Sequence, residues 1–150
     1  MKGMWFAFMN KVLKWMLLLA GAGAAIMLLT RLPVLGLEEA SFCGRCHVMQ
    51  EQVDTYQHSP HQQATNCGAC HDPHGLLSGS AYASYTGTRD VYRVVTDTTP
   101  EEIRITDMSK RVVQNNCLRC HGDIMREIGD TSQNGGAHCF HCHREIIHPK

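Results

Sequence analysis

The chain has 150 residues and a formal net charge of zero, which hides an uneven distribution: the first 37 residues carry four basic and no acidic side chains, the rest ten basic and fourteen acidic. No basic stripe of the kind nucleic acids need is present. After Leu37 only 18 of 113 residues are Leu, Ile, Val or Phe, about 16 per cent and too few for a core made of protein alone.

Residues 1–37 are predicted to form a cytoplasmic N-terminus and transmembrane anchor, and residues 38–150 a separate domain outside the membrane. Val12 to Leu32 is a nearly unbroken apolar run of about 31 Å as a helix, matching the hydrocarbon core of a bilayer. Lys14 can snorkel at one end and Arg31 stands at the other. A cleaved signal peptide is the competing reading, since Ala20-Gly21-Ala22 offers small residues to a peptidase. Cleavage there would leave a greasy new terminus, so an uncleaved single-pass anchor is preferred. Lys2, Lys11 and Lys14 precede the span and Glu38 and Glu39 follow it, which puts the N-terminus in the cytoplasm of a bacterial inner membrane and the domain in the periplasm.

The domain is built on a pentapeptide that occurs four times: Cys43-Gly-Arg-Cys46-His47, Cys67-Gly-Ala-Cys70-His71, Cys117-Leu-Arg-Cys120-His121 and Cys139-Phe-His-Cys142-His143. Each reads as a c-type haem attachment site, two thiols forming thioethers to the porphyrin and the following histidine serving as axial ligand. Structural zinc sites or disulfides would use the cysteines but leave the recurrent histidine unexplained. Four covalent c-type haems would supply the missing core, and the chain would handle electrons.

The first motif follows the apolar segment by about six residues, which places its haem at the membrane surface, within reach of a lipid-soluble electron carrier. It alone carries a methionine two residues past its histidine. Met49 is either packing for the porphyrin or an axial ligand, which would raise that iron's potential. Beyond the motif histidines there are six more; His61 and His148 stand on separate segments and are the better distal candidates, His58 and His74 the reserves, while His138 and His141 lie too close to their own motif.

The motif histidines are 24 and 22 residues apart within two pairs, with 50 residues between the pairs. This spacing predicts two di-haem units joined by a connector, Gly75 to Asn116, that holds most of the regular structure. Within it Ser80–Val95 reads as a helix with Tyr82, Tyr85 and Arg89 on one face. Asp90 is either a solvated residue paired with Arg93 or a proton acceptor beside the first haem. Thr99-Pro100-Glu101-Glu102 reads as a helix start with a capping box, and Asp107 as the start of a helix that delivers Asn116 to the third motif.

An N-terminal span, a first motif of the form CxxCHxM, a second followed by Pro73-His74, and Gly87-Thr88-Arg89-Asp90 ahead of two more motifs together resemble the NapC/NirT/NrfH family of membrane-anchored multihaem quinol dehydrogenases. The short length is most similar to the family's small tetrahaem subunit of cytochrome c nitrite reductase. The resemblance implies a mainly α fold: one transmembrane helix, then a tetrahaem cytochrome c domain with long haem-wrapping loops. It implies menaquinol as substrate and a periplasmic multihaem reductase, NrfA-like, as partner. Met49 would be the first axial ligand in place of His47, with His71, His121 and His143 in the usual role. Asp90 would lie in the quinol site, His61 and His148 would be distal ligands, and a further iron would take a lysine from the partner. The family's lysine seven residues before the aspartate is Ala83 here, with Arg89 or Arg93 the replacement. An anchored relay without a quinol site, or service to another periplasmic reductase, are the alternative functions.

Overall fold

The structure is a computed structural model that describes residues 2–29, 36–146 and 148; Arg31 and Leu32, at the end of the expected span, lie outside the described residues. Among the described residues seven α-helices follow one another, α1 (Lys2–Leu29), α2 (Ala40–Cys43), α3 (Gln50–Gln57), α4 (Cys67–His71), α5 (Leu76–Val95), α6 (Asp107–His121) and α7 (Cys139–Cys142), with a 3-10 turn at His47–Met49 and another at Gln133–Gly135. Among the described residues there is no strand. This is the helical class that the sequence predicts.

Helix α1 contains an apolar segment, Phe8–Ile26, that is not buried inside the protein. A helix that exposes Phe6, Trp15, Met16, Leu17 and Leu18 on all sides is suited to lipid rather than to water. It packs against α5. The rest is almost without an apolar core: among the described residues only Val53, Tyr56 and Val113 are buried hydrophobics.

Helix α5 begins at Leu76, four residues before the expected Ser80, directly after Pro73 and Gly75. It ends where Asp97 turns into the left-handed region, φ 53°, which lets Thr98 N donate back to the carbonyl of Arg93 at 2.9 Å. The helix expected at Thr99-Pro100-Glu101-Glu102 does not form: residues 98–106 are irregular. Glu102 instead pairs with Arg104 at 2.7 Å, and the next helix starts five residues after Glu102, too close for another. Helix α6 does start at Asp107, with the Thr106 hydroxyl as its cap, accepting from Ser109 N at 3.3 Å.

The connector does not hold the two motif pairs apart. Helix α4, carrying the second motif, packs on α6, carrying the third, and α7, carrying the fourth, also packs on α6. The two motif pairs are therefore in contact with each other.

Candidate haem-binding site

Helices α2, α4, α6 and α7 carry seven of the eight thiols and Cys46 follows α2 in extended backbone; none is in a disulfide. In the second motif the chain is held in register by Asn66, whose side chain accepts from Ala69 N at 2.8 Å. Gly68 is required there, because a Cβ would meet the Glu38 side chain at 2.7 Å. Glu38 also accepts Gly68 N through its carbonyl at 3.2 Å, so the residues leading into the first motif are strapped onto the second. The Cys43 and Cys67 thiols then lie within hydrogen-bonding reach of each other, which pulls Cys43 down to about 7 and pushes Cys67 up.

Two buried amides tie the remaining motifs together. Asn116 donates from Nδ2 to the carbonyls of Cys70 at 2.8 Å and Asp72 at 3.0 Å, clamping the third motif to the second. Gln114, 1 % exposed, donates to Asp130 Oδ1 at 2.7 Å and accepts from Cys139 N at 2.9 Å, fixing the start of the fourth motif. Sequence reasoning names Asn116 only as a position and Gln114 not at all. Burial pushes the Cys117 thiol up to about 11, with Cys139 and Cys70 close enough to add to the effect.

The histidines are brought together in a definite pattern. His61 and His121 stand with ring centres 6.1 Å apart, and His71 and His148 with ring centres 6.3 Å apart. Two imidazoles on opposite sides of one metal ion, each bonded at about 2 Å, stand roughly 6 Å between ring centres. Neither pair is stacked face to face, the interplanar angles being 76° and 43°. His148 is fixed by Thr55, whose hydroxyl meets its Nδ1 at 3.1 Å. His71 is exposed as a residue, yet desolvation of its ring, with His148 close by, pulls it down to about 4. Burial also lowers His148. Both imidazoles are then neutral at ordinary pH, the form a metal requires.

The reserves are engaged elsewhere: His58 Nδ1 meets the Asp54 carbonyl at 2.7 Å and His74 Nε2 the Ala69 carbonyl at 3.0 Å. His138 and His141 pack on Phe140 beside their own motif.

The first motif departs from the others. The Cys67–Cys70, Cys117–Cys120 and Cys139–Cys142 intervals each form a helical turn, whereas Cys46 is extended, with φ −93° and ψ 122°. The chain then enters the 3-10 turn, in which His47 is exposed and Met49 half-buried. A cavity of about 280 Å³ opens beside it, lined by His47, Val48, Val94, Asp97 and Ile103 among others. Asp90 lies four residues before Val94 on α5. Its carboxylate is paired with the neighbouring Arg89 at 2.8 Å, not with Arg93. Tyr82, Tyr85 and Arg89 do not share one environment: Tyr82 points inward and donates to Ser109 Oγ at 2.7 Å, while Tyr85 is exposed.

Eight thiols paired within four motifs, neutral imidazoles at metal-bridging separation and a nearly absent protein core fit covalently bound haem. These features define a c-type cytochrome. The chain belongs to the NapC/NirT cytochrome c family, whose N-terminal region model matches residues 8–150. It is 33 % identical over 112 residues to the cytochrome c nitrite reductase subunit NrfH of Nitratidesulfovibrio vulgaris, covering 74 % of this chain and 68 % of that protein. It is 28 % identical over 119 residues to the cytochrome c-type protein NrfH of Wolinella succinogenes, covering 72 % and 67 %. Among solved structures it is similar to a chain of the cytochrome c nitrite reductase NrfHA complex bound to the HQNO inhibitor, with a TM-score of 0.67 and 30 % identity over 88 % of this chain and 90 % of that one.

Proposed function

We propose that this protein is the membrane-anchored menaquinol dehydrogenase of a cytochrome c nitrite reductase complex, carrying four c-type haems and delivering electrons to a periplasmic multihaem reductase of the NrfA type. The observation that carries this reading is the likeness, over 88 % of the chain, to a subunit crystallised within the NrfHA complex. The basic N-terminal end of α1 faces the cytoplasm, which leaves the motifs in the periplasm.

Haem supplies one-electron chemistry at iron, with a potential set by the axial ligands and surroundings. Cys43 and Cys46, Cys67 and Cys70, Cys117 and Cys120, and Cys139 and Cys142 hold the four groups. Met49 would hold the first group, while His47 stands exposed. His61 and His121 would hold one group, and His148 and His71 another. His143 would hold the fourth, with no second imidazole beside it among these pairs. The lysine that the family resemblance expects from the partner would complete that site, which would make it the exit for electrons.

The chain's own chemistry at the quinol is proton handling. A quinol hydroxyl becomes strongly acidic as its electron is lost, so a base within hydrogen-bond reach avoids a high-energy cation. Asp90 is that base. Arg89, at 2.8 Å, holds the carboxylate in place and takes the part of the lysine absent at Ala83. Replacing Asp90 with Asn should slow quinol-driven haem reduction about 100-fold or more, while dithionite still reduces every haem. Quinol kinetics equal to those of the unaltered protein would refute the assignment.

A further inference from the structure

Helix α5 is amphipathic in the wrong direction for a helix in water. Its inward side carries Ser80, 1 % exposed, Tyr82 bonded to Ser109, and Arg89, whose side chain is only 25 % exposed. Its outward side carries Leu77, Ala81, Tyr85, Thr88, Tyr92 and Val95 at spacings of three and four, a single stripe about 27 Å long with no charge on it. Leu77, Tyr85, Tyr92 and Val95 are 59–78 % exposed even with α1 packed on the same helix. A solvated face of this length carries charged residues instead.

We propose that α5 lies in the membrane–water boundary with this stripe in the lipid, a second membrane contact beside α1. Three features select lipid as the occupant. The stripe belongs to the helix that packs against α1, whose own apolar surface is exposed all round. Their contact leaves the stripe exposed. The stripe's aromatic residues are both tyrosines, an apolar ring with a polar tip suited to the headgroup region. Asp90 is on the opposite side of the helix, two residues before Tyr92 and five after Tyr85. Seating the stripe in the lipid therefore sets the depth of Asp90 and of the first motif against the leaflet. A lone anchor followed by a short linker would leave that depth unfixed.

This contact stands whether or not Asp90 accepts a proton, and its test is independent of quinol turnover. Single Leu77→Cys, Tyr85→Cys and Tyr92→Cys variants of the full-length haem-loaded protein, with Glu127→Cys as control, are nitroxide-labelled in phosphatidylethanolamine–phosphatidylglycerol vesicles; the native thiols are held as thioethers. Relaxation by oxygen and by a water-soluble nickel chelate reports depth. The stripe labels should be at least several-fold more accessible to oxygen than to nickel, and the Glu127 label the reverse. Equal nickel access at the stripe and at Glu127 would place the face in water. Exclusion of both relaxants would place it under protein, a second copy or a partner. Either result overturns the proposal.

Discussion

Asn116 is the residue through which the order of the four motifs can be tested. It is 7 % exposed, and both amide protons are committed, one to the Cys70 carbonyl at 2.8 Å and one to the Asp72 carbonyl at 3.0 Å. Asn116→Ala removes two hydrogen bonds and strands two carbonyls, at a cost of about 2 kcal/mol. For a domain of this size that lowers the melting temperature by roughly 8 °C. Asn116→Asp keeps the shape but replaces the donor with two acceptor oxygens facing two carbonyls, so it should cost more than alanine. The assay is thermal melting of the haem-loaded protein followed in the Soret circular dichroism, which reports the geometry around the porphyrins. Melting curves of both variants superimposable on that of the unaltered protein would refute the clamp and, with it, the packing of the second motif on the third.

The histidine pairing predicts separable effects: His61→Ala and His148→Ala should each convert one low-spin ferric haem to high spin, and the double variant two. Electron paramagnetic resonance of the oxidised protein reads this directly, and loss of the same signal in both single variants would contradict it. Asp130 predicts a pH effect. Hydrogen bonds from the backbone and hydroxyl of Ser132, with Gln114 and Gln133 behind them, hold its carboxyl below the usual value. Because the folded pKa is the lower one, this stabilisation is complete above the ordinary aspartate range, near 4, and is lost as pH falls through the folded pKa. Asp130→Asn should therefore flatten the acid limb of the stability profile; an unchanged limb would show that the contacts do not matter.

What the sequence discloses and what it hides follow from the range of the interactions. The attachment motifs, the apolar span and the α5 and α6 helices depend on spacings within a few residues, and they are legible. Two local signals mislead. The capping box at Thr99 to Glu102 meets every short-range rule for a helix start, yet only three residues separate it from the Thr106 cap of α6. The 50-residue gap between motif pairs suggests separation in space, but α5 runs out and the chain returns, so α4 and α6 pack. The histidine pairing is illegible for the opposite reason: Thr55 and His148 are 93 positions apart and still in contact. Gln114 and Asn116 look like ordinary polar helix residues, and only their burial shows that they bind motifs together. The apolar face of α5 is visible as a pattern, but which side faces outward depends on Tyr82 finding Ser109.

The most direct test of the account is to place the haem-loaded protein in vesicles, add menaquinol, and follow the haem absorbance. Rapid reduction that is lost in Asp90→Asn, with electrons then reaching nitrite when the partner reductase is present, is the predicted result. Haems that dithionite reduces but menaquinol leaves oxidised would show that this chain takes its electrons from another source.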